Sequence, residues 1–320
     1  MLPATLRRFL LKDTDPSVRH QTLRDLLDRP VSDPARESAR RQIGRDGWAA
    51  RILGLQQREG HWETFRGRGG ELYDPKYIAT NWRLIVLADL GMTRHDPRIR
   101  RASELLTAAW SRRGYGALGG QGSEVCITGN FARTMTRFGY LEEKHVQRSF
   151  EWLVDAQKLD GGWHCFPSKT GTLDGWEAMA AFAAVPPPKR PAAMQRAIER
   201  GAEFYLERRL LRGSDGSRYA PWERIHYPNH YYYDFLLGLD FLTGLGFGED
   251  RRLRPALDLL ERKRRQDGTW ALERHHPDLE PDDPYHPRTP LYPFVLEHVG
   301  LPSRWATLVA LRVLRRAGRL

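Results

Sequence analysis

The chain has 320 residues, 40% of them hydrophobic, with a formal charge of +11, the balance of a globular protein in water. No apolar run approaches the roughly 20 residues of a membrane span, the apolar stretch within residues 1–11 is too short for a secretory signal, and two cysteines, Cys126 and Cys165, are too few for a disulfide scaffold. A cytoplasmic protein is therefore expected, one whose positive charge suits an acidic partner such as a phosphorylated ligand or an anionic membrane surface, with peripheral association, while its scattered arginines form no specific nucleic-acid motif.

The first predicted elements are helices over 16–28 and 34–46. Asp15-Pro16 and Asp33-Pro34 each set a capping carboxylate before a proline suited to the first helical position. Residues 1–47 are read as a helical cap or closing pair. A repeated unit follows from Trp48: a one-sided apolar segment, a glycine turn, then a segment apolar all round. The clearest turns are Gln56-Gln57-Arg58-Glu59-Gly60-His61-Trp62, Gln157-Lys158-Leu159-Asp160-Gly161-Gly162-Trp163 and Arg265-Gln266-Asp267-Gly268-Thr269-Trp270. Weaker copies sit at Arg112-Arg113-Gly114-Tyr115-Gly116 and Gly213-Ser214-Asp215-Gly216-Ser217-Arg218-Tyr219, with tyrosine in place of tryptophan.

The turns recur about every fifty residues, the signature of a repeat architecture. One-sided segments are expected over 48–57, 99–110, 146–157, 194–210 and 254–265, and enclosed ones over 77–90, 124–138, 172–185, 231–245 and 303–316. A helix apolar on one stripe lies outside, and one apolar all round is surrounded. Five such pairs over 48–320, with the N-terminal pair, predict an all-α fold: an α/α toroid of concentric inner and outer helices, forming one structural domain. The proline-rich run His276 to Pro293 cannot be helical and is expected to cover one end.

The Gln-x-x-Asp-Gly-x-Trp turns resemble the repeats of the squalene cyclase and protein prenyltransferase β-subunit superfamily. The likeness spans about residues 48–320 and is especially close to short single-barrel bacterial proteins called squalene cyclase-like, whose closing segment is similar to Gly300-Leu301-Pro302-Ser303-Arg304-Trp305-Ala306-Thr307-Leu308. The resemblance implies a terpenoid cyclase or prenyltransferase type of enzyme, with a lipophilic, isoprenoid small molecule held in a central cavity. It also suggests a second subunit, although no surface for a protein partner is identified here.

Two chemistries are implied. A cyclase of this kind protonates its substrate through an Asp-x-Asp-Asp motif, and the nearest match, Glu280-Pro281-Asp282-Asp283, departs at its first letter and makes Asp282 the candidate acid. A prenyltransferase holds zinc with an Asp-x-Cys and a distant histidine. Leu173-Asp174-Gly175-Trp176 looks like the first of these with tryptophan in the cysteine's place, and His230-Tyr231-Tyr232-Tyr233 looks like the second.

Cys126 and Cys165 fall at comparable levels of the expected ring, so Cys126, Cys165, Asp174 and His230 would converge as a zinc set, with His226 and His164 in reserve. Glu124 would then support the ligands or act as a general base. The alternative, two small buried cysteines, stays open. Tyr77, Trp82, Phe131, Trp176, Tyr231 and Tyr232 are candidates for an aromatic lining able to stabilise a carbocation, or are plain core. Tyr231 to Tyr233 cannot all face one way on a helix. Arg83, Arg133 and Lys169 are the basic residues placed to meet a diphosphate. A non-catalytic toroid binding a lipid or protein, and nucleic-acid binding by the basic outer face, remain as other readings.

Overall fold

A computed structural model describes residues 2–62, 72–73, 76–113, 124–274 and 296–320. Its helices are α1 (Ala4–Leu11), α2 (Pro16–Asp25), α3 (Pro34–Gln42), α4 (Gly47–Leu53), α5 (Thr80–Asp89), α6 (Pro97–Arg113) and α7 (Val125–Phe138), then α8 (Lys144–Asp155), α9 (Glu177–Ala184), α10 (Ala192–Glu207), α11 (Phe235–Gly244), α12 (Arg254–Arg262) and α13 (Arg304–Arg316). The only paired strands among the described residues are two-residue segments, Trp270–Ala271 antiparallel to Pro302–Ser303.

Both proline-led helices start as the sequence predicts. Asp15 Oδ1 accepts the N–H of Ser17 at 2.8 Å and its Oδ2 that of Trp48 at 2.6 Å, so one carboxylate caps α2 and also ties down the start of α4. Asp33 accepts the N–H of Arg36 at 2.9 Å to cap α3. Helix α1 was not anticipated; it buries Leu6 and Leu10 and packs on α2 and α13.

The fold is an α/α toroid. Helices α5, α7, α9, α11 and α13 each pack on the next, α13 packs on α2, and Gln21 Nε2 closes the ring by donating to the carbonyl of Asp89 at the end of α5, at 2.9 Å. Every residue of α5 from Thr80 to Ala88 is buried. Outer helices bury one stripe: Val146, Ser149, Phe150 and Leu153 in α8, and Ala256, Leu257 and Leu260 in α12. These spacings put the apolar side chains on a single face against the inner ring.

The glycine turns join outer to inner helices by one repeated set of bonds. Gln56 Nε2 donates to the carbonyls of Gly60 and Arg98 at 2.8 and 3.0 Å, and Gln157 Nε2 to those of Gly161 and Ala197 at 2.8 and 2.9 Å, linking each turn to the next outer helix. Arg264 takes the glutamine's part toward Gly268 at 3.3 Å. Gly60, Gly161 and Gly268 have φ of 101°, 87° and 83°, conformations that a Cβ would strain.

The indole N–H groups of Trp62, Trp163 and Trp270 donate to the carbonyls of Ile52, Leu153 and Leu260 at 2.7, 2.8 and 2.7 Å. Each acceptor lies in the last turn of an outer helix, where carbonyls lack intrahelical partners. At the weaker copy Arg212 Nη1 donates to Gly216 at 2.8 Å, but Tyr219 is 55% exposed. It follows its glycine by three residues rather than two, so it does not replace the buried tryptophan. The turn at Gly114 and Tyr115 and the run from His276 to Pro293 lie outside the described residues.

Candidate functional site

The N-terminal ends of α5 and α7 and the segments leading into α9 and α11 meet at one mouth. A cavity of about 680 Å³ opens there, walled by Asn81 and Trp82 of α5, Cys126, Ile127 and Asn130 of α7, and the loops carrying Cys165, Asp174 and Tyr231. The partial positive charge of helix N-termini favours anionic groups at this end.

The aromatic wall is continuous. Trp82 lies 4.8 Å from Tyr73, 5.1 Å from Tyr77 and 6.0 Å from Tyr231, measured between ring centres, and Tyr231 stacks on Tyr232 at 4.7 Å. The Tyr77 hydroxyl donates to that of Tyr231 at 2.8 Å, and Trp82 Nε1 donates to the carbonyl of Tyr73 at 2.6 Å. Lys76, which the sequence reading passed over, sits above the Tyr231 ring at 5.1 Å. Residues 231–233 precede α11 rather than starting it, because Asp234 caps that helix through the N–H of Leu237 at 2.8 Å. On this extended segment Tyr231 and Tyr232 face the cavity, while Tyr233 turns into the core and donates to the carbonyl of Leu210 at 3.0 Å.

Tyr77, expected in the lining, is fully buried behind Trp82 and Tyr231, and Phe131 and Trp176 do not line the cavity either. Phe131 stacks on Trp110 at 4.1 Å with the rings 4° apart. Trp176 is buried, donates to the carbonyl of Tyr231 at 3.1 Å and carries the Arg133 guanidinium over its ring at 5.0 Å. Both hold the wall from behind.

Glu124, Cys126 and Cys165 line the same cavity, and their ligand atoms lie within 4.8 Å of one another. The main-chain N–H of Cys126, at the start of α7, donates to Cys165 Sγ at 3.3 Å, and Cys126 Sγ donates to Glu124 Oε2 at 3.5 Å. The contact with the Cys126 side chain, with the main-chain N–H groups of Cys126 and Val125, holds the Cys165 thiol below its usual range. That same contact, then burial, pushes Cys126 well up. The shared contact thus favours ionisation at Cys165 over Cys126.

Asp174 and His230 stand outside this cluster. Asp174 lines the cavity, but its Oδ1 accepts from Trp222 Nε1 at 3.1 Å, and burial raises its carboxyl. His230 is enclosed between Tyr77 and Trp82, at 5.2 and 5.3 Å, where burial and then Arg133 push its imidazolium far down, leaving a neutral ring. Of the reserves, His164 lines the cavity, while His226 is paired with Asp234 at 2.8 Å.

The three basic residues do not meet. Arg83 is buried and bonded to the carbonyl of Ile78 at 3.1 Å, Lys169 is exposed, and Arg133 lines a different cavity. Asp282 lies outside the described residues. Glu177, at the start of α9, was missed: it is fully buried, burial raises its carboxyl well above the usual range with Cys165 adding to the shift, and among the described residues neither oxygen has a hydrogen-bond partner beyond its own main-chain N–H. Only its position after Asp174-Gly175-Trp176 hinted at it.

No family model matches the chain, and no curated protein matches it. Among solved structures, a protein from Actinoplanes is 19% identical over 98% of this chain and 99% of its own, with a TM-score of 0.46. A variant of the type II terpene cyclase MstE from Scytonema, in complex with its substrate geranylgeranyl dihydroxybenzoate, is 15% identical over 85% of this chain and 95% of its own, with a TM-score of 0.33. The apo form of that cyclase gives 15% identity over 85% of this chain and 96% of its own, with a TM-score of 0.32.

Proposed function

We propose that this protein is an enzyme of the terpenoid cyclase and prenyltransferase type, acting on a lipophilic, isoprenoid-class molecule held in the aromatic cavity. One observation carries the reading: the ring wall and the thiol–carboxylate cluster face the same space of about 680 Å³, a size that encloses a small molecule. The faces of Trp82, Tyr231 and Tyr232 would pack an apolar chain and stabilise positive charge developing on it.

Glu124, Cys126 and Cys165 are proposed to hold zinc. Two thiols and a carboxylate suit that ion, and three protein ligands leave a fourth position for substrate, as in catalytic sites. Bound there, zinc would supply Lewis acidity and hold a thiolate in its reactive form. Glu124 Oε2 already accepts the Cys126 proton, so it is the first acceptor when that thiol ionises. Asp174 and His230 keep structural roles in this reading, and Asp282 is retained as the acid of a metal-free cyclisation.

The test is elemental analysis of protein purified under reducing conditions without chelator, together with farnesol binding followed by tryptophan fluorescence. About one zinc per chain, lost in Cys126→Ser and Cys165→Ser, and farnesol binding lost in Trp82→Ala support the proposal. Metal-free protein that stays so after zinc addition removes the zinc set, and absence of farnesol binding removes the isoprenoid reading. Asp282→Asn then tests the acid.

A further inference from the structure

A second cavity, of about 380 Å³, runs along α11 and α13, from Leu236 and Trp305 near their starts to Gly244 and Arg316, and reaches the C-terminal ends of α5 and α7 at Asp89 and Arg137. The C-terminal halves of α2, α5, α7, α9, α11 and α13 all reach it, and α9 contributes only Ala180 and Ala183, which leave it open. Its wall is cationic: Arg24, Arg40, Arg133, Arg137, Arg312 and Arg316 all line it.

Too few carboxylates answer them. Asp25 is shared by Arg24 and, at 3.1 Å, Arg312. Asp89 is shared by Arg137 and, at 3.9 Å, Arg133. Asp240 is shared by Arg312 at 2.7 Å and Arg316 at 3.0 Å. Asp234, the remaining acid of the wall, is engaged by His226 at 2.8 Å. Among the described residues six guanidiniums therefore face four carboxylates, one of which, Asp234, is also held by His226.

Arg40 has no carboxylate within ion-pair distance among the described residues. Its Nη2 donates to Thr93 Oγ1 at 3.0 Å, and burial, then the like charge of Arg24, holds its guanidinium below the usual range. The partial negative charge of the α5 and α7 C-terminal ends offsets part of the surplus. It does not supply the paired oxygen acceptors that planar guanidinium forks select.

We propose that this cavity binds a small multivalent oxyanion of the phosphate or diphosphate class. The site is independent of the aromatic cavity and stands whether or not zinc or an isoprenoid binds there. An oxyanion seated among Arg40, Arg316 and Arg137 would neutralise the charge left over by the aspartates and bridge α3, α7 and α13.

The experiment is calorimetric titration of the full chain with inorganic pyrophosphate and inorganic phosphate at fixed ionic strength, with thermal unfolding of the same samples. Pyrophosphate is expected to bind one per chain and to raise the unfolding midpoint, with affinity falling at least about tenfold, the weight of one charge-assisted contact, in both Arg40→Gln and Arg316→Gln. Without ligand, Arg40→Gln should unfold no earlier than the wild type, because it removes repulsion with Arg24. A purely structural Arg40 would lower that midpoint instead. Failure of both anions to bind at millimolar concentration, or equal binding by wild type and both variants, as expected of an unspecific basic surface, overturns the proposal.

Discussion

Replacing Trp163 with phenylalanine tests whether the repeated turns hold the toroid through their indole N–H groups. Trp163 is completely buried and its ring edge is so close to α10 that a Cβ on Gly201 would lie 2.9 Å from it. Phenylalanine removes the bond to the Leu153 carbonyl at 2.8 Å, leaving a buried acceptor unmet at a cost of about 1–2 kcal/mol. The lost part of the ring leaves a space costing about 1–2 kcal/mol more, for a total of about 3 kcal/mol. Trp152, one helical turn before the α8 terminus, is half-buried and its indole makes no hydrogen bond to a described residue, so Trp152→Phe should cost less than about 1 kcal/mol. Urea unfolding of both variants at one pH measures the difference, provided the slope is unchanged. Equal losses in the two variants would refute the account of the turns as helix-end caps.

The site and its surroundings give further expectations. Cys165 should alkylate before Cys126, and at lower pH than an ordinary thiol, when protein treated with limiting iodoacetamide is mapped by mass spectrometry; preferential modification of Cys126 would contradict the assigned order of ionisation. Burial keeps Glu177 protonated well above the usual carboxyl range, so the folded state binds a proton that the unfolded state releases above its ordinary value, and stability from this group falls as pH rises. Glu177→Gln should therefore gain in urea midpoint over the wild type between pH 5 and pH 8 (about 3 units of titration), and a constant offset would count against a buried neutral acid. Burial, with Arg24 and Arg40, lowers His20 to about 4. As pH falls from 6.5 toward 4 the unfolded state takes up a proton that the folded state refuses, so stability drops through that window. His20→Gln should flatten this part of the thermal profile, and an unchanged slope would place the titration elsewhere.

The sequence by itself determined the all-α fold and the succession of outer and inner helices, because both are written in local periodicity and in turn chemistry. Val146, Ser149, Phe150 and Leu153 declare an outer face by spacing alone, and Gly161 with Trp163 declares the turn after it, since only glycine adopts that φ without strain. Aspartate before proline set the starts of α2 and α3 for the same local reason. Tyr219 failed as a substitute for tryptophan through a one-residue offset visible only when compared with its glycine. The start of α11 was misplaced because an aromatic run and a capping aspartate compete locally, and Asp234 wins by satisfying a helix N–H.

The site divides along a different line. That Cys126 and Cys165 lie at one level of the ring followed from the repeat, and the pairing of these thiols is where sequence reasoning reached furthest. Which side chains stand near them depends on tertiary structure: Glu124 lies beside Cys126, whereas Asp174 bonds to Trp222 and His230 is closed between Tyr77 and Trp82. Phe131 and Trp176 were drawn behind the wall by Trp110 and Arg133, partners remote from them in the chain or on another face. The arginine-lined cavity could not be read at all from sequence, where its six guanidiniums are scattered over four helices. Periodicity reports which face of a helix is buried, but a cavity's charge depends on which residues the closed ring brings together, and only ring closure fixes that.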